Sequence, residues 1–548
     1  MKQTGRKTAY TLRGSALLLA LFVLLSLAGC GKKSGTAGIR ADFSGRVATL
    51  DPQYCSTTLE RCILKNCMEG LLRRLPDGTM TEGCAERYEI SDDGLRYTFT
   101  LRENLRWSDG EPLTAGDFVF AFRRIREGAA SSGAREMFAA VSGMEGGVPG
   151  VYAPDERTVV LLLSRTDPLL LEKLAEPEAF PCRQDFYEGT HARYGNTLTD
   201  MIYNGPFTVQ SWESGELRLA ANKEYTGLTP AETPLVVCTL GADNTVERFL
   251  DGKTDCCRVD AVTLQQLSGD ATLLTFRNGT VSLLLNQNTT QLDQTALRQA
   301  LCYGFDLHAY TESGRLPAAY EYAGSIVPGA ARLFDQSYID LTSKGFALGT
   351  VTFADGSSSV EFRRSNQLSI SYNARAAQAA LDSLQGKLPE GLTLLLPRGS
   401  ALEDFCGWLQ KQWLDHLGMV VNLEIVDADT YRSRLAKGDF TLALYSYTAG
   451  DELHTVFRHY GMAGGAPVQC TDPRYGELLD LAGGAHDVEE AARLFANAEA
   501  VLTDQFIAMP LFYTESYFAM AKDVTGIQAS ADGTELFFAT AQRAGEPK

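Results

Sequence analysis

The pattern of apolar and polar positions predicts a strand and a helix in the first third of the chain. Residues 97–102 alternate between apolar and polar side chains, as expected for a strand that buries one face. A turn at residues 107–110 separates this strand from a capping box formed by Thr114 and Asp117. Apolar residues then recur at helical spacing, so a helix should begin at this box. They are Phe118, Phe122 and Ile125.

The second half of the chain has a similar succession of helices and strands. Asp293 is positioned to cap one helix, and a second helix should end at Gly418. Residues 421–425 then alternate as a strand, and a third, long helix precedes an apolar strand at residues 509–513. Helices that lead directly into strands indicate an α/β fold. The apolar positions of the three helices are Ala296, Leu297, Ala300 and Leu301; Leu402, Phe405, Leu409, Trp413 and Leu417; and Leu494, Ala498 and Val501.

The length of the chain predicts more than one domain. Single hydrophobic cores stop growing at about 250–300 residues, and this chain has 548 residues. Ser and Gly interrupt short alternating runs at residues 341–371, which we interpret as an inserted, β-rich excursion.

The first 29 residues have the pattern of a lipoprotein signal peptide. A basic start is followed by an apolar run at residues 15–28, shorter than the roughly 20 residues that span a membrane. The run ends in a bacterial lipobox at Cys30, and residues 30–40 form a flexible tether. We expect Cys30 to carry diacylglycerol and palmitate. These lipids would anchor the chain at the extracytoplasmic face of the cell membrane, at the cell surface or in the periplasm. An ordinary signal peptide with a chance cysteine is the alternative.

The net charge argues against a nucleic-acid partner, and the cysteine count argues against complete disulfide pairing. The formal net charge is -18, which repels phosphate backbones, so no nucleic-acid partner is expected. Of the 12 cysteines, an odd number remains once Cys30 is acylated, so they cannot all pair. No Cys-x-x-Cys motif occurs. We expect buried free thiols, with one or two disulfides as the alternative.

No motif for catalysis or cofactor binding is complete. Gly252-Lys253-Thr254 resembles the end of a phosphate-binding loop, but Glu247 stands where that loop needs its first glycine. The zinc-protease motif His-Glu-x-x-His and the hydrolase motif Gly-x-Ser-x-Gly do not occur. The motifs therefore specify no catalytic centre, and we expect no enzymatic activity, no cofactor and no metal site.

Several short motifs occur in the order and spacing of one known family. The first are Leu50-Asp51-Pro52, Glu69-Gly70-Leu71, residues 91–102 and residues 107–118; the later ones are Asn204-Gly205-Pro206-Phe207, Leu297-Arg298-Gln299-Ala300-Leu301, residues 438–442 and residues 509–513. Over most of its length the chain therefore resembles the family 5 extracellular solute-binding proteins. These are the oligopeptide-, dipeptide- and nickel-binding components of ABC importers.

This resemblance implies an α/β, two-lobed fold of the periplasmic-binding-protein type. It would be the type II form, in its large version with an extra domain, and the ligand cleft would lie between lobes that close on the ligand. Domain I would be discontinuous, assembled from residues 41–68, 199–285 and 510–548. Domain II would comprise residues 69–198, and domain III residues 286–509.

The resemblance also implies a function and partners. A monomer, held at the membrane by its lipid, would capture an oligopeptide or dipeptide and deliver it to an ABC permease and ATPase complex. The alternatives are the same scaffold binding a nickel chelate or another non-peptide solute, a secreted hydrolase, and a peptide-sensing receptor without a transport role.

Ligand-binding residues follow from the resemblance as well. In peptide-binding relatives an Asp that follows an aromatic residue pairs with the amino terminus of the peptide. Tyr447 matches the aromatic residue, whereas Gly450 occupies the place of the Asp and Asp451 comes one residue later. Thr58 matches a segment whose backbone contacts the ligand. The implied ligand-binding residues are Thr58, Tyr445, Ser446, Tyr447, Thr448 and Asp451. The alternative is that the tyrosines are core strand residues and Asp451 caps a turn.

Overall fold

The computed structural model describes most of residues 38–544. Within this range it leaves out residues 77, 145, 168, 260–263, 265–266, 268, 270, 334–335, 344–350, 352, 354–371, 385–387, 449–452, 454–455, 458–459, 461–469 and 486. Cys30 and the rest of the predicted signal peptide also lie outside the described residues.

Helices and strands succeed one another along the described part of the chain. The strands are β1 (Ile39–Phe43), β2 (Leu72–Arg74), β3 (Met80–Glu82), β4 (Ala85–Ile90), β5 (Arg96–Leu101), β6 (Val151–Asp155), β7 (Thr158–Leu162), β8 (Phe207–Glu213), β9 (Glu216–Ala221), β10 (Leu235–Leu240), β11 (Cys256–Val259), β12 (Ala271–Leu285), β13 (Tyr320–Tyr322), β14 (Arg332–Leu333), β15 (Gln336–Ser337), β16 (Leu392–Pro397), β17 (Val421–Val426), β18 (Leu442–Thr448), β19 (Ala508–Ala521), β20 (Val524–Thr525), β21 (Gln528–Ala529), β22 (Leu536–Phe537) and β23 (Gln542–Arg543). The helices are α1 (Thr58–Cys67), α2 (Ala115–Glu127), α3 (Ser132–Met137), α4 (Leu170–Lys173), α5 (Gln184–Gly189), α6 (Thr245–Leu250), α7 (Thr295–Tyr303), α8 (Leu307–Glu312), α9 (Tyr338–Ser343), α10 (Ala374–Asp382), α11 (Glu403–Leu417), α12 (Ala428–Lys437), α13 (Pro473–Ala482) and α14 (Val488–Asp504). Short 3₁₀ turns occur at Pro177–Ala179 and Leu198–Asp200.

Strands from both ends of the chain form one large mixed sheet. Its order is β17-β16-β18-β12-β19-β11-β1-β10-β9-β8, and β13 also pairs with β19. The first strand pairs in parallel with β10, so that Ile39 lies opposite Val236. A separate four-stranded sheet has the order β4-β5-β7-β6 and packs against α2.

Strands β12 and β19 cross from one half of the large sheet to the other. Residues 271–276 of β12 pair with β19 before a register shift between Phe276 and Gly279, and residues 279–284 pair with it after the shift. A Cβ atom at Gly279 would collide with the side chain of Thr514 on β19. The two halves are therefore joined by a bulge at which the strands approach closely.

Buried apolar side chains form separate clusters on the two sides of this crossing. The first core consists of residues from 39–256 and 518–541. The second core, around Phe495, and the third core, around Trp413, consist of residues from 281–512. The first core includes side chains from the regions expected to be domains I and II. The proposed domain boundaries stay a prediction.

Most elements predicted from spacing are present. The strand predicted at residues 97–102 is β5, and α2 begins at the capping box of Thr114 and Asp117. Helix α11 ends at Gly418, whose φ of 64° is left-handed. The long third helix is α14, and the strand predicted at residues 509–513 is part of the longer β19.

The predicted cap of α7 is wrong. The helix begins at Thr295, and Gln294 occupies the N-cap position without a side-chain cap. Asp293 is one residue too early for that position, and its carbonyl accepts a hydrogen bond from Arg298 at 3.1 Å. The β-rich excursion predicted at residues 341–371 begins inside α9, and most of it lies outside the described residues.

Eleven cysteines in the described part of the chain are free thiols, as the sequence predicted. All are buried except Cys470, which is half-buried. Burial raises the pKa of the Cys62 thiol to about 12, so the thiol is neutral at physiological pH. These cysteines act as small apolar side chains of the cores.

Candidate functional site

The predicted ligand-binding segment lies at the end of β18, beside the crossing strand β12. Tyr447 of β18 is directly opposite Thr280 of β12, and Tyr445 is directly opposite Ser282. Residues opposite each other in an antiparallel pair point to the same face of a sheet. Both tyrosines therefore share a face with Thr280 and Ser282 and pack against the second core.

The tyrosine side chains form a stacked and largely buried wall. The ring centroids of Tyr445 and Tyr447 are 6.3 Å apart with an interplanar angle of 14°. The ring of Tyr460 meets Tyr445 edge-on at 6.0 Å, and its hydroxyl is 3.2 Å from Ser282 Oγ. Burial raises the pKa of Tyr445 to about 12. The wall is uncharged at neutral pH and presents flat apolar surfaces.

Ser446 and Thr448 point to the opposite face, where β18 reaches solvent. Both are exposed, whereas Leu442 and Leu444 earlier on this face are buried in the third core. The neighbouring strand β16 pairs with β18 only at Leu442 and Ala443. Beyond Ala443, no strand among the described residues continues alongside β18 on that side. The end of β18 therefore has an open edge, the place where an added strand can form hydrogen bonds.

Asp451, the predicted partner of a ligand amine, lies outside the described residues. Its role stays a prediction.

Thr58 lies in the first turn of α1, and a buried carboxylate holds the start of this helix. Glu60 is 0% exposed and accepts hydrogen bonds from four backbone N–H groups at 2.9–3.2 Å. Burial opposes the ionisation of Glu60, but the four donors outweigh it and lower the pKa of the carboxyl. The donors belong to Ala48, Thr49, Ser56 and Thr57.

A cavity with a volume of about 330 Å³ lies beside α1 and is lined in part by Thr58. Among the described residues its lining includes four basic and four acidic side chains, so the charges balance. The basic residues are Arg61, Lys65, Arg73 and Arg74, and the acidic residues are Glu69, Glu176, Asp532 and Glu535.

Arg61 and Lys65, one turn apart on α1, bind carboxylates from distant parts of the chain. Arg61 is 3.1 Å from Glu176 and also pairs with Glu178. Lys65 Nζ is 3.0 Å from Glu176 and 2.9 Å from Glu535. Burial would raise the pKa of Glu176, but the neighbouring cations, led by Lys65, lower it overall. This network attaches α1 to the 3₁₀ turn at Pro177–Ala179 and to the C-terminal segment, which forms one wall of the cavity.

Glu69 anchors another wall of the cavity. Its carboxylate accepts hydrogen bonds from Arg102 at 2.7 Å and from the Tyr225 hydroxyl at 3.1 Å, and Arg73 is 3.8 Å away. Burial raises the pKa of Glu69 more than these partners lower it. Through these contacts Glu69 connects the segments that carry Arg73, Arg102 and Tyr225.

The structure brings the predicted residues together in two groups. Residues 445–448 are consecutive on β18, whereas Thr58 lines the cavity beside α1, which none of those four residues lines. Sequence reasoning missed Arg61, Lys65 and Glu69. The spacing of four residues between Arg61 and Lys65, which places their side chains on one face of a helix, was the signal available for those two. Glu69 follows the end of that helix and had no such signal.

Two features are absent from the described residues. None of their helices combines the length and the apolar character needed to span a membrane. They also contain no group of three or more His, Cys, Asp or Glu side chains placed to share a metal ion.

Comparison with known proteins identifies relatives of the whole fold. The model of the bacterial extracellular solute-binding proteins, family 5 (middle region), matches residues 79–465. The oligopeptide-binding protein OppA of Bacillus subtilis (strain 168) is 22% identical, over 96% of this chain and 98% of that protein. The probable deoxycholate-binding periplasmic protein YgiS of Escherichia coli (strain K12) is 26% identical, over 85% of this chain and 86% of that protein. The structure of Listeria monocytogenes OppA bound to peptide matches with a TM-score of 0.64 and 19% identity, over 94% of this chain and 100% of that one.

The structural match confirms the α/β, two-lobed fold that the sequence resemblance implied. The family model covers most of the chain, and proteins of this family bind solutes and are not enzymes. The expectation of a non-enzymatic binding protein is therefore confirmed. The chain belongs to the bacterial extracellular solute-binding proteins of family 5.

Proposed function

We propose that this protein captures an extended peptide beside the end of β18. The open edge of β18 beyond Ala443 carries the proposal, because an extended peptide can add there as a further strand. Two relatives support it by their names, the oligopeptide-binding OppA of Bacillus subtilis and the peptide-bound OppA of Listeria monocytogenes.

The neighbouring residues suit a ligand of variable sequence. Hydrogen bonds along a strand edge use only the main chain of the peptide, so they are independent of its side chains. The tyrosine wall of Tyr445 and Tyr447 offers an apolar surface beside that edge, and Ser446 and Thr448 offer hydroxyl groups. Asp451 would pair with the peptide's amino terminus and set its direction.

Calorimetric titration with peptides of increasing length tests this proposal. Each N-methyl group placed on an edge-facing amide of the ligand should weaken binding by about three- to tenfold, since it removes one hydrogen bond. Tyr447→Ala should weaken binding, whereas Tyr88→Ala, an exposed tyrosine on β4, should not. Equal affinity for methylated and unmodified peptides would rule out the strand-edge mode.

The proposed role of Asp451 has its own test. Asp451→Ala should cost about 2–5 kcal/mol of binding free energy, because it leaves a buried ammonium without a partner. N-acetylated peptides should lose a similar amount with the parent protein and nothing further with the variant. Additive losses would show that Asp451 does not contact the amine.

We further propose that the protein works as a lipoprotein of an ABC importer. Cys30 at the lipobox would carry the lipid, and the loaded protein would deliver its ligand as a monomer to the permease and ATPase complex at the extracytoplasmic face. Cys30→Ser should release the protein from the membrane fraction. Uptake of a labelled peptide should fall equally in cells that lack this gene and in cells that lack the permease.

A non-peptide solute is the second candidate ligand. The relative named as a probable deoxycholate-binding protein is 26% identical over 85% of this chain. A stacked pair of tyrosines also suits a flat apolar solute. If deoxycholate binds and displaces peptides, this alternative is preferred. If peptides bind and deoxycholate does not compete, it fails.

A further inference from the structure

The first backbone carbonyl of β18 beyond its pairing with β16 already has a partner. This carbonyl belongs to Leu444, and it accepts a hydrogen bond from the hydroxyl of Tyr431 at 2.6 Å. Burial raises the pKa of Tyr431, so the hydroxyl stays protonated at physiological pH and remains a donor. The contact lies where the open edge of β18 begins.

The strand ladder shows that the Leu444 carbonyl points to the open edge. Asn286 N, just past the end of β12, donates to Thr441 O, just before β18, at 2.9 Å. Backbone groups of a strand face alternate sides, so every second residue of β12 counted back from Asn286 bonds to β18. The residues opposite them on β18 are Ala443, Tyr445 and Tyr447. The N–H and C=O groups of the alternate residues, Leu444, Ser446 and Thr448, therefore point away from β12.

Pro397 explains why β16 leaves this carbonyl unpaired. Strand β16 pairs in parallel with β18 up to Leu395, and Arg398 N donates to a carbonyl of β17 at 2.7 Å. By the same alternation Pro397 faces β18 and would supply the next donor of the ladder. Proline has no backbone N–H, so the ladder ends there. The tyrosine hydroxyl takes the place of the missing donor.

The first turn of α12 holds Tyr431 in position. Asp427 caps this helix, and its side chain accepts hydrogen bonds from Asp429 N at 3.1 Å and Thr430 N at 2.9 Å. The Asp427 carbonyl accepts a further bond from Tyr431 N at 2.9 Å. The Tyr431 ring is half-buried against the second core. The side chain is therefore in place before any ligand arrives.

We propose that Tyr431 ends the peptide-binding edge, so that a bound peptide forms main-chain hydrogen bonds with Ser446 and Thr448 but not with Leu444. The inference rests on the proposed peptide-binding function. An N–H group of an added strand needs a free carbonyl, so the peptide must leave the edge where the tyrosine occupies it, whichever way the peptide runs. Tyr431 is thus a positioning residue that fixes the register of the peptide without contacting its side chains selectively.

An N-methyl scan of the ligand tests the inference. Calorimetric titration of an oligoalanine peptide and its single N-methyl derivatives identifies the amides that pair with the edge. Tyr431→Leu stays apolar but is too short to reach Leu444, so one further amide should become sensitive, by about three- to tenfold in affinity. In Tyr431→Phe the ring still covers the Leu444 carbonyl, so the sensitive amides should be those of the parent.

A carbonyl signal in the parent protein tests the same point without a substitution. Leu444-Tyr445 is the only Leu-Tyr pair in the sequence, so isotope labels on leucine carbonyl carbon and tyrosine nitrogen select the Leu444 carbonyl in an NMR spectrum. Its chemical shift should stay the same when oligoalanine saturates the parent. A shift typical of a new hydrogen bond overturns the inference. This measurement decides the question if Tyr431→Leu does not fold.

The outcomes of the scan are distinct. Identical sets of sensitive amides in the parent and in folded Tyr431→Leu overturn the inference and leave the proposed function intact. A further sensitive amide in Tyr431→Phe overturns the role given to the ring. A parent protein in which no amide is sensitive overturns both the strand-edge function and this inference.

Discussion

At the scale of single residues, Glu499 is a carboxylate buried in the second core with all its partners inside the protein. It is 0% exposed and accepts hydrogen bonds from Ser325 Oγ at 2.6 Å, Ile326 N at 2.9 Å and the Tyr338 hydroxyl at 3.1 Å. Burial raises the pKa of Glu499 more than these donors lower it. Glu499 thereby holds the segment before β14 and helix α9 against α14.

This raised pKa predicts a pH dependence that one substitution should remove. Glu499 binds a proton more readily in the folded protein than in the unfolded chain. Its contribution to stability is thus complete below its ordinary pKa of 4.5 and is lost as the pH rises towards the folded-state value. Glu499→Gln, which is neutral at every pH, should gain stability relative to the parent as the pH rises. Urea unfolding at acidic and neutral pH measures this difference.

Two further variants delimit the effect of Glu499. Glu499→Ala leaves three partners without an acceptor and should cost about 2–4 kcal/mol at acidic pH, with a smaller cost as the pH rises and the parent loses the contribution of Glu499. Glu489→Gln, at an exposed position of the same helix, should leave the pH profile unchanged. If the unfolding free energies of the parent and Glu499→Gln differ by the same amount at every pH, Glu499 does not titrate as described.

At the scale of elements, helix α11 contains two glycines for which the same substitution should have opposite effects. Gly418 ends the helix at a φ of 64°, and Gly407 lies in the helical interior. A Cβ atom at either position has no neighbour within 4 Å. Gly418→Ala should therefore destabilise the protein by about 1 kcal/mol through backbone strain alone. Gly407→Ala should stabilise it by up to about 1 kcal/mol through helix propensity.

Chemical unfolding of the two glycine variants checks this pair. Since neither substitution creates a contact, any difference between them comes from the backbone. Equal effects at Gly407 and Gly418 would mean that the end of α11 does not have the described geometry.

The elements show how far the sequence could predict the fold. Spacing located α2 and α11 because their caps, Thr114 and Gly418, are local signals. The predicted cap of α7 at Asp293 failed because Gln294 occupies the N-cap position and the Asp293 carbonyl accepts a hydrogen bond from Arg298. The Arg298 guanidinium also reaches the Gln505 carbonyl at 3.0 Å, a tertiary contact that local spacing does not reveal. The resemblance named Thr58 and Tyr447, but no local pattern could show the open edge of β18. That edge depends on where β16 ends in the folded sheet.

At the scale of the whole molecule, the buried thiols predict a specific reactivity. A thiol-reactive dye should modify few cysteines in the native protein, since the reactive form is the thiolate and burial keeps these thiols protonated. In denaturant all eleven described thiols should react. A reducing agent should not change the unfolding temperature. Fewer reactive thiols in denaturant, restored by reduction, would indicate disulfides.

The two crossing strands predict a change of size on binding. Closure of two lobes about the bulge at Gly279 should give a smaller radius of gyration with a bound peptide than without it. Small-angle scattering measures the radius, and a peptide that does not bind serves as the control. An unchanged radius under conditions of confirmed binding would mean that the site is rigid.

The order in which the chain is synthesised gives the crossing strands a further consequence. A nascent chain that stops before Ala508 lacks β19, the strand that joins the two halves of the large sheet. It also lacks Glu535, which binds Lys65 on the first helix. Contacts so distant along the chain form slowly, because long loops must close first. The large sheet can therefore be completed only after β19 has been synthesised, and the attachment of α1 to the C-terminal segment only after Glu535 has been synthesised.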